Sequence, residues 1–240
     1  MNRKSGMKYL IGNWKSNKTI EEAREWIGVV KGAKLPRQPN LEVVLCPSFI
    51  HLSLFREVYP EMRLGLQTIS PFPLGAYTGA VAAGMVFDLV RYVIVGHSER
   101  RRYFHESEAE VAAQAAEAVE EKLTPIISID RDNWRRQLTL VKREALKQSL
   151  VMYEPPGAIS EPVGTIGEGE AATLEEVEKM ADRIREEFSF KALVYGGSVK
   201  SHNLVTFLGS AKIDGVLSGS ASLNAQEWVR MWRRAIEVSG

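Results

Sequence analysis

The chain has 240 residues, of which 45% are hydrophobic and 25% are charged, and its formal net charge at pH 7 is +1. The balance of 31 basic and 30 acidic residues argues against a strongly basic nucleic-acid binder and against an acidic solvating tail. A composition of this kind argues against disorder, and a chain of this length buries roughly 70% of its unfolded surface without needing a metal or disulfide staple.

The cysteine content and the amino terminus indicate the compartment. Cys46 is the sole cysteine, which excludes an intrachain disulfide and an all-cysteine zinc site, and its apolar surroundings predict a buried thiol. The apolar run Tyr9-Leu10-Ile11 is too short for a signal-peptide core, and no apolar run approaches the length of a membrane span. We therefore expect a soluble, cytoplasmic protein without a membrane partner.

Eight short apolar segments alternate with longer amphipathic segments along the chain. Several are apolar at consecutive positions, which is typical of strands covered on both faces of a parallel sheet. The predicted strands are Lys8–Ile11, Leu41–Cys46, Met62–Leu66, Tyr92–Val95, Pro125–Ile129, Leu150–Tyr153, Ala192–Tyr195 and Gly215–Leu217.

Each predicted strand is followed by a helical pattern or by a stretch long enough to hold one. Thr19 and Glu22 form a capping-box pattern at the first helix, whose predicted buried stripe contains Ile20, Ala23, Ile27 and Val30. The other clear helical patterns cover Glu108–Glu121, Leu174–Phe188 and Ala225–Val238.

Eight strand-then-helix units of about 30 residues each, with no linker between them, favour one α/β domain over residues 1–240 with a closed (β/α)8 barrel. A doubly wound open sheet has the same local pattern, so periodicity alone leaves both architectures open.

In both architectures the active site lies at the carboxyl ends of the strands. Asn13 and Lys15 follow the first strand and, two residues apart, lie on the same side if the chain is still extended there. His97 follows the fourth strand and Glu154 follows the sixth. An amide, an amine, an imidazole and a carboxylate are therefore expected at one rim.

Small residues follow the last two strands. Gly196-Gly197-Ser198 comes after the seventh strand and Gly219-Ser220 after the eighth. Turns of this kind let bare backbone N–H groups approach an anion, and barrels commonly bind phosphate there.

The strand ends carry an ordered set of motifs, which are Asn13-Trp14-Lys15, Cys46-Pro47-Ser48-Phe49, Gln67 through Gly75-Ala76-Tyr77-Thr78-Gly79, Gly96-His97-Ser98-Glu99-Arg100-Arg101, Tyr153-Glu154-Pro155 and Tyr195-Gly196-Gly197-Ser198-Val199. In this order and at this spacing, they resemble those of the triosephosphate isomerase family. The resemblance extends from about Lys8 to Leu223 and implies a TIM barrel that interconverts dihydroxyacetone phosphate and D-glyceraldehyde 3-phosphate. It also implies a homodimer, or in some members a tetramer, and it requires no metal or organic cofactor.

The resemblance also implies roles. Glu154 is the base that moves a proton between two substrate carbons, and His97 polarises the carbonyl, a pairing known for this family. Lys15 supplies positive charge to the substrate and the enediolate, and Asn13 orients the substrate oxygen. The remaining assignments are substrate or phosphate contacts at Asn13, Lys15, Ser160, Gly167, Ser198, Gly219 and Ser220, and supporting positions at Ser98, Glu99 and Tyr195.

The lid signature that follows the sixth strand in this family occurs twice here, each time imperfectly, beginning at Glu154 and again at Glu161. The second copy matches the lid better, which makes Glu161 a rival base. Strand chemistry favours Glu154, because Leu150–Tyr153 precedes it, whereas Pro155 and Pro156 prevent an interior strand from delivering Glu161 to the rim. The lid phosphate contact is Ser160 in the first register and Gly167 in the second.

Three further departures from the family pattern are less central. Ser220 replaces a glycine but retains its backbone donor, and the region 132–148 is short. Ser128-Ile129-Asp130-Arg131 stands where the family has Cys-Ile-Gly-Glu. The sequence alone assigns no function to the last two departures.

Two other functions remain open from the residues. Another phosphosugar barrel enzyme, such as a ribulose-phosphate epimerase, would share the turns after strands seven and eight but not the first two motifs. A non-catalytic binding member is suggested by the altered lid. Structural or solvated roles are expected for His51, His105 and His202, and a packing role for Trp14. Glutamates surround Arg100-Arg101-Arg102, for which ion pairing near or across a subunit contact is expected.

Overall fold

In the computed structural model, which describes residues 6–155 and 172–240, eight parallel strands form a closed barrel in chain order. Strand β8 pairs with β1, Gly215 opposite Tyr9 and Ser218 opposite Gly12, so the sheet has no free edge there. The predicted (β/α)8 barrel is confirmed and the open sheet is excluded. The strands are β1 Lys8–Asn13, β2 Leu41–Cys46, β3 Arg63–Leu66, β4 Tyr92–Val95, β5 Thr124–Ile129, β6 Leu150–Tyr153, β7 Ala192–Tyr195 and β8 Gly215–Ser218.

The outer layer is helical but uneven. The third unit differs from the expected pattern, since only a short 3-10 turn, Ala83–Met85, lies between β3 and β4. None of the helices in the described ranges is long and apolar enough to cross a membrane. The α-helices are α1 Ile20–Gly32, α2 Leu52–Val58, α3 Ser98–Phe104, α4 Glu108–Glu120, α5 Trp134–Leu140, α6 Arg143–Gln148, α7 Leu174–Glu187, α8 Leu204–Leu208, α9 Ser220–Leu223 and α10 Ala225–Ser239.

Capping determines where the longer helices begin. Thr19 accepts from the N–H of Glu22, and the Glu22 carboxylate accepts from the N–H of Thr19, as the sequence predicts. Thr173 forms the same reciprocal pair at α7. The buried face of α1 begins at Ala23, so the prediction that Ile20 lies in the buried stripe is wrong: its side chain is 41% exposed.

Two apolar layers form the core. One fills the barrel interior and includes Ile11, Cys46, Ile94 and Met152. The other lies between the strands and the surrounding helices. The predicted burial of the Cys46 thiol is confirmed, and burial raises its pKa.

Trp14 connects the end of β1 to the turn after β8. It is fully buried, as the packing role requires, and its ring meets that of Trp26 edge-on at a centroid distance of 5.1 Å. Both indole N–H groups donate to the carbonyl of Ser222, at 3.2 Å from Trp14 and 3.0 Å from Trp26. The segment that carries Gly219 is thereby anchored beside the residues that follow β1.

Candidate active site

The ends of β1, β4 and β6 bring four predicted site residues to one rim. Asn13 ends β1, His97 caps α3 directly after β4, and Glu154 follows β6. A continuous set of contacts joins three of them, because Lys15 forms an ion pair with Glu99, whose own backbone N–H donates to His97. His97 in turn contacts Glu154.

Hydrogen bonds to its backbone N–H and carbonyl hold Lys15 in place. Its φ of 53° is left-handed, so the chain is no longer extended at Lys15 and the condition for a shared side with Asn13 is not met. The Lys15 N–H instead donates to Oδ1 of Asn13 at 3.0 Å. Ser48 Oγ and Gln67 Nε2 donate to the Lys15 carbonyl at 3.1 and 2.9 Å. Three partners therefore compensate a strained conformation, which is typical of functional sites.

Ser48 and Gln67 are contributions that sequence reasoning missed. Both belong to segments that resemble the family, but no role follows from their positions after β2 and β3. Their acceptor is a backbone carbonyl, for which the sequence carries no signal. Only the folded chain shows that these two residues maintain the backbone geometry of Lys15.

The orientation of His97 is determined by the start of α3. Its Nδ1 accepts from the N–H of Glu99 at 3.2 Å, so the ring proton in this geometry is on Nε2. Nε2 lies 3.1 Å from Oε1 of Glu154. The His97 side chain is 7% exposed, and its donor nitrogen faces the carboxylate across the site.

The Glu154 carboxylate is 2% exposed and accepts several hydrogen bonds. Oε2 accepts from the N–H of Ser98 at 3.1 Å and from Ser128 Oγ, while Oε1 faces His97. The N–H of Glu154 donates to the Ile129 carbonyl at 2.8 Å, which continues the β5–β6 pairing to the rim. A buried carboxylate beside an imidazole N–H can exchange protons with a ligand bound between them.

Glycine lets the turns after β7 and β8 approach these side chains closely. A Cβ on Gly196 would lie 3.2 Å from Cγ of Glu154 and 2.8 Å from Cγ of Met152. A Cβ on Gly219 would lie 3.2 Å from Cε of Lys15. The two predicted phosphate turns therefore border the carboxylate and the ammonium group, respectively.

Comparison with known proteins agrees with this architecture. The family model described as Triosephosphate isomerase matches residues 8–235. The chain belongs to the triosephosphate isomerase family. A triosephosphate isomerase of Thermus thermophilus is 38% identical to it over 246 residues, covering 94% of this chain and 98% of the relative. One of Gloeobacter violaceus is 35% identical over 232 residues, covering 93% of this chain and 97% of the relative.

In this family the loop after the sixth strand contributes to the site. Ser160 and Gly167, the two predicted lid contacts, and the rival base Glu161 lie outside the described residues. Tyr195 is buried, and it is one of the predicted supporting residues. Its hydroxyl accepts from the N–H of Ala172 at 3.2 Å, where the described chain resumes, and burial raises its pKa to about 12.

The remaining predicted positions are consistent with family membership. Ser198 follows β7, and its carbonyl accepts from Nδ2 of Asn203 at 3.0 Å. Ser220 begins α9 directly after Gly219. Ser98 contributes its backbone N–H to Glu154, and Glu99 joins Lys15 to His97.

The other three histidines and the arginine run lie outside this set of contacts. His51 is buried, with Nε2 3.0 Å from the Lys18 carbonyl and its ring against Trp14. His105 and His202 are exposed. The predicted ion pairing of the arginine run is confirmed at one position, where Arg100 Nε lies 2.8 Å from Oε1 of Glu106.

Proposed function

We propose that this protein interconverts dihydroxyacetone phosphate and D-glyceraldehyde 3-phosphate through an enediolate, with Glu154 as the base. The observation that carries the proposal is the contact between His97 Nε2 and Glu154 Oε1, with Lys15 joined to the same contacts through Glu99. A base, a neutral donor and a cation are the groups that proton transfer beside a carbonyl requires.

Each group has a separate task in this proposal. Glu154 removes the proton from the carbon beside the carbonyl and returns it to the neighbouring carbon. His97 donates its Nε2 proton toward the carbonyl oxygen, where negative charge develops, and shuttles protons between the two oxygens. Lys15 stabilises that charge and Asn13 orients the oxygen. A positioned general base contributes typically ~10²–10⁴ in rate.

The phosphate group is assigned to the turns after β7 and β8. Gly219 lies against Lys15, and Ser198 and Ser220 occupy the same two turns, so backbone donors and a cation converge on one side of the site. The sixth loop would add Ser160 or Gly167. The reaction transfers protons without net oxidation or reduction, so the proposal invokes no metal or organic cofactor.

A coupled assay that follows formation of glyceraldehyde 3-phosphate from dihydroxyacetone phosphate tests the proposal. We expect turnover by the purified full-length chain. A folded sample without turnover would overturn it and favour a binding function. Turnover confined to a pentulose phosphate would favour an epimerase.

We further propose a homodimer in the cytoplasm, built from one barrel domain over residues 1–240. Apolar side chains between β3 and β4 support the dimer: Phe72, Leu74 and Tyr77 are 49%, 63% and 43% exposed. Phe72 and Tyr77 stack on each other at 4.6 Å and leave their outer surfaces to solvent. Light scattering is expected to give twice the chain mass of 26.8 kDa; a monomer mass would contradict the proposal.

A further inference from the structure

Ser128 is a buried polar side chain between two apolar residues of β5, Ile127 and Ile129. It is the fifth residue of β5, is 1% exposed, and lies in register with Met152, two residues before Glu154. The family has cysteine here, and a thiol is a much weaker donor than a hydroxyl. A buried hydroxyl needs a partner, so the identity of that partner indicates why serine is present.

The partner is the proposed base. Ser128 Oγ donates to Oε2 of Glu154, the same oxygen that accepts from the N–H of Ser98. Two donors from different strand ends therefore hold one carboxylate oxygen, while the other oxygen remains directed at His97. A carboxylate held at one oxygen by two donors has little freedom to rotate.

The backbone of Ser128 is hydrogen-bonded to the Arg101 side chain. Nη2 of Arg101 donates to the Ser128 carbonyl at 3.3 Å and to Oε1 of the fully buried Gln137 at 2.7 Å. Nε of the same guanidinium donates to the Gly96 carbonyl at 2.7 Å. The arginine thus joins the end of β5 to the residue before His97. The hydroxyl and the imidazole that contact Glu154 are connected through one side chain.

We propose that Ser128 is a positioning residue, whose hydroxyl holds Oε2 of Glu154 so that Oε1 is presented to the reacting atoms beside His97. The inference rests on the proposed function in that it takes Glu154 as the base. Its consequence is that the family cysteine has been exchanged for a stronger donor, which adds direct control of the base from β5.

Three variants of the full-length enzyme test this role. Ser128→Ala removes the hydroxyl, Ser128→Cys restores a weak donor, and Ser149→Ala is the matched control. Ser149 is equally buried and precedes β6 at the opposite end from Glu154, where its hydroxyl donates to the Ala145 carbonyl at 2.7 Å. Steady-state kinetics, thermal unfolding and the ¹⁵N–¹H spectrum of the His97 ring are measured for all four proteins.

We expect Ser128→Ala to lower kcat roughly ten- to a hundredfold with KM within about twofold, since misplacement of a base affects the transition state more than substrate binding. Ser128→Cys is expected to recover part of the loss, and Ser149→Ala to retain the parent kcat. The His97 Nε2–H signal should shift in Ser128→Ala, shift less in Ser128→Cys and stay unchanged in Ser149→Ala.

Unchanged kcat in Ser128→Ala, an increase in KM alone, or no recovery by cysteine would overturn the inference. So would a loss of activity that only follows the folded fraction. If the parent itself has no turnover, the proposed function fails, and the His97 ring signal still decides the inference: an unshifted signal in Ser128→Ala rejects a positioning role.

Discussion

Nε2 of His97 and Oε1 of Glu154 lie 3.1 Å apart, so the proposed donor and the proposed base form a contact with each other. The two side chains are 7% and 2% exposed, which leaves little water between them. A substrate must bring its carbonyl oxygen to Nε2 and its acidic carbon to the carboxylate, and therefore must replace this contact with two of its own. The geometry thereby defines which atom of each side chain reacts.

The identity of the base gives the first prediction. Glu154→Asp withdraws the carboxylate from the reacting carbon, and a misplacement of about 1 Å can cost ~10² in rate. We expect kcat to fall by about that factor, with Glu161→Asp as the matched control that leaves kcat unchanged. The coupled isomerase assay measures both. A loss confined to Glu161→Asp would assign the base to the second register.

The tautomer of His97 gives the second prediction. Because Nδ1 accepts from the Glu99 N–H, we expect Nε2 to carry the proton and Nδ1 to be bare in the ligand-free protein. Histidine-labelled ¹⁵N NMR distinguishes the two nitrogens, and the exposed His202 supplies an internal reference. A protonated Nδ1 would show that the helix start does not determine the ring orientation.

Two glycine-to-alanine substitutions of opposite sign give the third prediction. Gly96 has φ +71°, and a Cβ there would lie 2.5 Å from Nη2 of Arg101 and 2.8 Å from Cγ1 of Val111. Left-handed backbone costs about 1–2 kcal/mol and overpacking about 1–3 kcal/mol, so we expect Gly96→Ala to lower the free energy of unfolding by about 2–5 kcal/mol.

Gly28 is the matched control in the exposed face of α1, where a Cβ would meet nothing within 4 Å. Alanine there is expected to raise the free energy of unfolding by about 0.5–1 kcal/mol, because glycine weakens a helix interior. Urea unfolding at one fixed protein concentration measures both effects. Equal stability of the two variants would contradict the crowding at Gly96.

Alkaline stability gives the fourth prediction. Burial raises the pKa of Tyr9 to about 12, whereas an unfolded tyrosine ionises near ~10. Between these values the unfolded chain binds fewer protons than the folded one, so the free energy of unfolding falls by about 1.4 kcal/mol per pH unit for this group. Below pH ~10 its contribution is fully present.

The comparison of Tyr9→Phe with the parent isolates this contribution from the other groups that titrate at high pH. Urea unfolding at several values between pH 10 and 12 should show a shallower decline for Tyr9→Phe, by about 1.4 kcal/mol per pH unit. Identical slopes for the two proteins would refute the assigned cause.

Strand positions could be predicted from the sequence because strands covered on both faces are apolar at successive residues. Seven of the eight predicted strands lie within one residue of the observed bounds at each end, and β1 extends two residues further, to Asn13. Asn13 is polar but pairs with Cys46 on β2, so its strand conformation depends on a partner strand, which the hydropathy of the sequence does not show. The predicted burial of Ile20 was wrong for a related reason, because the barrel does not cover the first turn of α1.

The sequence by itself determined the alternation of strands and helices, the residue types at the strand ends and the family. Hydrophobic periodicity is a local property, and the order of motifs can be read directly along the chain. The tertiary structure decided barrel closure, the left-handed Lys15 and the partner of Ser128. Those features depend on contacts between segments far apart in sequence, such as Ser128 and Glu154, which are 26 positions apart, and on backbone carbonyl acceptors that every residue shares. A side chain's type shows what it can donate or accept, and only the fold selects its partner.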